Sequence, residues 1–231
     1  MDRNRKTAVI VGVLYIIGTA AGICGLAITD PVRNAPDPLI YISLTGTELV
    51  IGAVFVLLMG LSLAMIPLIL FPLLKKVREP VALGYVVFRG GLETVAYLAT
   101  VVSWLCLLPI SRAYIGARGG QASALQTLGL LLLEGKEIGT VAVLVFCLGA
   151  LMFYSLLYRS RLVPRWLSGW GIIAAVPYLA AGFLVMFGLA GSTAAPVIIM
   201  DLPLALQEMV LAVWLIVKGF ARTAIASLPQ G

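Results

Sequence analysis

The stretch from Val81 to Pro109 reads VALGYVVFRGGLETVAYLATVVSWLCLLP. As a helix it is long enough to cross a bilayer, yet it carries Arg89 and Glu93 well inside it. A charge at the centre of a membrane helix costs roughly 2.5–3.5 kcal/mol on insertion scales. A chain keeps such residues only where something offsets that cost. Arg89 and Glu93 are four positions apart and so share one helical face, which Tyr97 and Thr100 continue. The stretch therefore demands an opposite charge nearby, a polar cavity, or an arginine that snorkels toward an interface.

The rest of the chain is built to the same rule. Of its 231 residues 61% are hydrophobic and 11% charged, with a mean hydropathy of +1.09. A soluble domain carries about 25% charged residues. The expected fold is an all-α integral membrane protein, one domain over residues 1–231, with six transmembrane helices in one compact bundle. The spans are expected at about 7–29, 47–74, 81–109, 137–158, 167–190 and 197–219. The first follows the basic flag MDRNRK and resembles a signal peptide, but its apolar run is too long for one. Ile23 stands before Cys24 where a lipoprotein signal needs a small residue, so an uncleaved span is expected. Its Gly18-x-x-x-Gly22 spacing suits close helix approach, with internal packing favoured over dimerisation.

Between spans, residues 30–46 read as a loop with Pro31, Pro36 and Pro38, and 39–44 as a segment along the interface. Pro67 and Pro72 are expected to kink the second span. Residues 111–136 suggest a polar loop, then either an interfacial helix or an extension of the fourth span. Glu134, Lys136 and Glu137 are expected at the outer interface. Similar short runs near Glu48, Glu137 and Glu208 hint at a repeat, but these acids fall at different distances from the basic ends, which argues against one.

The N-terminus, 75–80, 159–165 and the C-terminus together hold eleven of the sixteen Lys and Arg, against three in the other loops. This asymmetry predicts both termini in the cytoplasm. The basic clusters, beside hydrophobic ends, need no nucleic-acid partner. The elbow RSRLVPRW presents Arg159, Arg161 and Arg165 beside Trp166 and Trp170, an expected seat for anionic lipid headgroups. The absence of histidine excludes His-ligated metals and His-based catalysis. Cys24, Cys106 and Cys147 lie in apolar segments without paired spacing and read as buried free thiols. No cofactor, metal or catalytic set is expected.

Three passages, PLLKKVREPVALGYVVFRGGLE (72–93), LLYRSRLVPRWLSGWG (156–171) and PLALQEMVLAVWLIVKGF (203–220), resemble a bacterial family catalogued as domain of unknown function (DUF) 4386. The resemblance implies six spans and a bacterial cytoplasmic (inner) membrane, and supplies no activity or catalytic residue.

The site residues are therefore chosen on physical grounds. Arg89 lies about 13 Å from Pro80 along a helix, Glu93 about 6 Å deeper, and Glu208 about 15 Å from Lys218. Arg89, Glu93, Tyr97, Gln207 and Glu208 form the expected polar cluster, with the third and sixth spans as neighbours. It is either an ion pair locking helices together or a cavity for an ion, a proton or a small anionic headgroup. The favoured function is a non-enzymatic helical binding or interaction protein, or a subunit of a larger membrane complex. The alternative is a small ion- or proton-coupled transporter or channel, which would commonly form a homo-oligomer. An intramembrane lipid-modifying enzyme stands third, since no nucleophile–base spacing is present.

Overall fold

The computed structural model describes residues 2–192 and 194–229, and of Lys136 and Glu137 the backbone alone. Those two side chains, expected at the outer interface, lie outside the described set. The described chain runs α1 (Arg3–Arg33), α2 (Pro38–Tyr85), a π-helical segment (Val86–Leu92), α3 (Glu93–Gly116), α4 (Gly120–Glu134), α5 (Lys136–Ser160), α6 (Arg165–Met186), α7 (Ala195–Val217) and α8 (Arg222–Ala226). Five helical stretches are long and apolar enough to cross a membrane: Arg3–Arg33, Pro38–Gly116, Gly120–Ser160, Arg165–Met186 and Ala195–Val217. The chain is an all-helical, multi-pass membrane bundle.

The stretch Pro38–Gly116 contains both the second and third expected spans, and it doubles back on itself. Arg78 leaves helical geometry (φ −162°, ψ 100°), two residues before Pro80, which has no N–H to continue the ladder. The two arms then meet in antiparallel register. A Cβ on Gly60 would stand 3.0 Å from Tyr97, one on Gly90 3.2 Å from Pro67, and one on Gly52 3.4 Å from Trp104. Pro67 and Pro72, expected to kink this arm, keep helical dihedrals; the departures fall at Arg78 and Thr45 (φ −127°, ψ 30°).

The expected loop over 30–46 is mostly helix. Pro31 sits within the last turn of α1, where it removes only one hydrogen bond. Asp37 then caps α2, its Oδ1 accepting from the N–H groups of Leu39 (3.1 Å) and Ile40 (3.2 Å). Pro38 takes the first helical position, where a missing N–H costs nothing. Tyr114 donates to the other Asp37 oxygen at 2.9 Å and ties the end of α3 to this cap. Pro109 does not end the third arm, which continues to Gly116. In 111–136, α4 is a helix in its own right, set off from α5 by Gly135 in the left-handed region (φ 53°). Gly129 of α4 lies on Leu39, and Leu133 joins the same apolar cluster as Val32 and Ile42.

Glycines mark where helices approach closely, and many large apolar side chains face outward, as expected where lipid replaces water and close backbone approach supplies part of the packing. Gly12 of α1 lies against Ala212 and Ile216 of α7, and Gly18 and Gly22 lie against Leu63 and Met59 of α2. Ile10, Val54, Val95, Ile173 and Val213 are exposed. The expectation of three buried thiols is corrected in the same way: Cys24 and Cys106 face outward and are exposed, and Cys147 alone of the three is buried.

The first and last described segments sit at one end of the bundle. The Arg5 guanidinium donates to the carbonyls of Leu215 (2.9 Å) and Ile216. Arg3 and Lys76 line one surface cleft together with Ile225 of α8, and Ala221 N–H donates to Leu162 at 2.9 Å. The start of α1, the Arg78 turn, the 161–164 elbow and α8 therefore share this terminal end. Glu134, Gly135 and Ser192 share the far end.

Candidate functional site

The polar residues of the third arm fall where the helix changes pitch. Val86–Leu92 is π-helical, a form that recurs at functional sites because it turns side chains away from the α-helical register. Gly90 and Gly91 lie in this segment, and Gly90 lets it approach Pro67 of the facing arm. On the other side α5 closes in at Gly149, where a Cβ would stand 3.2 Å from the Arg89 nitrogen.

Arg89 and Glu93 are buried, with side chains 3% and 2% exposed. Arg89 Nη1 donates to both Glu93 oxygens, at 2.9 and 3.0 Å. Nη2 donates to Glu208 Oε1 at 3.2 Å across 119 residues of sequence. Tyr97 donates its hydroxyl to Glu93 Oε1 at 2.7 Å. The guanidinium also lies over the ring of Phe146, 4.3 Å from its centroid. Such charge-assisted bonds, out of water, hold the arginine as a fixed element of the wall.

These residues line a cavity of about 350 Å³. Gly18 and Thr19 of α1, Met59 and Leu63 of α2, Phe146 of α5, Tyr178 of α6 and Leu204 of α7 complete it. The cavity explains a difference from the sequence-based expectation. The main packing partners of α7 are α1 and α6, rather than the third arm. Arg89 reaches Glu208 at the margin of the space left between them. Glu208 keeps 16% of its side chain exposed, and among the described residues Arg89 alone bonds to it. Two carboxylates against one guanidinium leave a surplus negative charge when all three are ionised.

A second cavity of about 140 Å³ lies on the far-end side and shares Gly139 and Val143 with the first. It is lined by Glu134 and Asp201. Asp201 was not singled out in the sequence, although it stands seven residues before Glu208, a spacing that returns to the same helical face. Phe146 and Tyr178 were missed as well, because an apolar or aromatic wall gives no charge signal.

Gln207 does not join the cluster. It is buried and turned to α6, where Nε2 donates to the Leu167 carbonyl at 3.0 Å. Its Oε1 and the buried hydroxyl of Tyr154 have no partner among the described residues. Thr100 is satisfied within its own helix by the Ala96 carbonyl at 3.1 Å. Among the described residues no group of three or more Cys, Asp and Glu could hold a metal ion. The elbow residues divide. Arg161 and Arg165 line a groove at the terminal end, and Trp166 packs edge-on against Trp214, with ring centroids 6.2 Å apart. Trp170 packs against the main core instead, and Arg159 does not line the groove.

A family profile described as "Domain of unknown function (DUF4386)" matches residues 10–219. No curated protein and no solved structure matches the chain. The match covers most of the sequence, and the chain belongs to the DUF4386 family.

Proposed function

We propose that this DUF4386 member is a non-enzymatic membrane protein that binds a small organic cation of the ammonium class in its central cavity. The observation that carries the reading is Glu208: a carboxylate on the cavity wall, partly exposed, in a cluster with one negative charge in surplus when all three groups are ionised. An anion is disfavoured, because Arg89 already spends both terminal nitrogens on Glu93 and Glu208. The volume of about 350 Å³ exceeds the need of a bare ion and falls in the range of small-molecule sites. Tyr97 and Tyr178 line the cavity, and aromatic side chains are the kind that recognise ammonium groups.

The same cavity bears on the choice between a closed interaction protein and a transporter. An interaction subunit needs no internal space. A cavity beside Glu208, adjoining a second one that holds Asp201, supports binding with passage of the cation, with a proton competing for the same carboxylate. The two arms of Pro38–Gly116 are taken as separate crossings, which makes six spans in a single domain. The gathering of basic residues at the terminal end supports a cytoplasmic placement of that end. The family resemblance supports a bacterial inner membrane.

The test is thermal stability of the purified protein in tetramethylammonium chloride against sodium chloride at matched ionic strength. A ligand that binds the folded state stabilises it by about 2.7 kcal/mol at a hundred times its Kd. Tetramethylammonium should raise the midpoint of the wild type and leave Glu208→Gln unmoved. No shift in the wild type, or an equal shift in the variant, contradicts the reading.

A further inference from the structure

A groove of about 520 Å³ opens at the terminal end, where the α5–α6 elbow meets the end of α7. Arg161, Arg165 and Lys218 line it, and no acidic residue does. Neither of the ion pairs among the described residues involves these three cations. Leu162, Trp214 and Phe220 form its apolar wall.

Two features of the backbone bear on these cations. Arg161 is the one non-glycine residue with positive φ (54°) among the described residues. It occupies the left-handed position that ends α5, a place usually given to glycine. The groove thus keeps a guanidinium at a cost in backbone strain. Next to it, α6 follows Pro164 without a side-chain cap; Leu167 and Ser168 N–H donate to the Pro164 carbonyl, which leaves the N–H groups of Arg165 and Trp166 for an anion.

The apolar surroundings identify the kind of anion. Val210, Val213 and Val217 are exposed on one face of α7, with Trp214 between them. This strip leads from the groove toward the middle of the bundle, and Trp166, 56% exposed, flanks it. Trp side chains favour the headgroup level. A phosphate with attached acyl chains satisfies both halves at once, the phosphate among the cations and a chain along the valine strip.

We propose that this groove is a binding site for the headgroup of an anionic phospholipid, held by Arg161, Arg165 and Lys218. The site is separate from the central cavity and does not depend on what that cavity binds. Arg159, in the same basic run but outside the groove, takes no part.

The experiment compares full-length wild type, Arg161→Gln/Arg165→Gln/Lys218→Gln and Arg159→Gln, purified from the same membrane. Co-purified phosphatidylglycerol and cardiolipin are measured against phosphatidylethanolamine by mass spectrometry. Wild type and Arg159→Gln should be enriched in anionic lipid, and the triple variant should not. Each single substitution to Gln in the groove should weaken binding of phosphatidylglycerol about fivefold. Equal enrichment in the triple variant overturns the proposal, as does an equal loss in Arg159→Gln, which would mean a diffuse charge effect. If inorganic phosphate displaces the lipid and stabilises the delipidated protein as well as phosphatidylglycerol does, the occupant is a soluble phosphate and the lipid assignment fails. Should the triple variant not purify as a monodisperse species, Lys218→Gln and the charge-preserving Arg165→Lys carry the test. The first should weaken binding about fivefold and the second should keep it; any other pattern overturns the proposal.

Discussion

Arg89 Nη2 lies 3.2 Å from Glu208 Oε1, a bond that joins the π-helical segment to α7 at the margin of a cavity. The bond is placed where α7 packs mainly on α1 and α6 rather than on the third arm. It therefore fixes the width of the space between the two elements and the direction in which Glu208 faces.

Removing Arg89 should do more damage than removing the pair it forms. Arg89→Leu leaves Glu93 and Glu208 without their counter-charge, and breaking a buried pair costs about 3–5 kcal/mol. Arg89→Leu/Glu93→Leu removes the buried pair together and leaves Glu208 with its partly exposed face. Thermal unfolding in detergent should show a large loss in the single variant and substantial recovery in the double. Equal losses would mean that the pairing does not contribute.

The π segment is held against α5 at Gly149, where a Cβ would meet the Arg89 nitrogen at 3.2 Å, whereas a Cβ at Gly91 would meet nothing within 4 Å. Gly149→Val should destabilise by about 1–3 kcal/mol through overpacking. Gly91→Val should cost less. Comparison of the two midpoints of thermal unfolding checks this.

The placement of the two ends can be read by labelling. Single cysteines at Asn34, Arg78 and Arg161, with Cys24, Cys106 and Cys147 replaced by alanine, should react with an impermeant maleimide in two groups. Position 34 should label on intact cells, and positions 78 and 161 only after permeabilisation. Labelling of 161 from outside without labelling of 34 would reverse the orientation.

Much of this was legible in the sequence for identifiable reasons. Arg89 and Glu93 were visible as an i,i+4 pair inside an apolar run, and Glu208 as an acid at comparable depth. Gln207 misled because neighbours on a helix point about 100° apart: it faces Leu167 while Glu208 faces the cavity. The prolines misled in another way. Three of them suggested a loop over 30–46, but Pro31 falls in a last turn and Pro38 in a first turn, where the missing N–H is cheap. The π-helical pitch was not legible, since it depends on how closely Pro67 and Gly149 approach from either side.

The most direct measurement is calorimetric titration of tetramethylammonium into the purified full-length protein at constant ionic strength. Glu208→Gln is the test variant, and Glu79→Gln, exposed at the Arg78 turn, is the control. The account predicts one site per chain in wild type and in Glu79→Gln, weakened by a lowered pH, and at least tenfold weaker binding in Glu208→Gln, the equivalent of about 1.4 kcal/mol. Binding of equal strength in wild type and Glu208→Gln, or none in wild type, would contradict it.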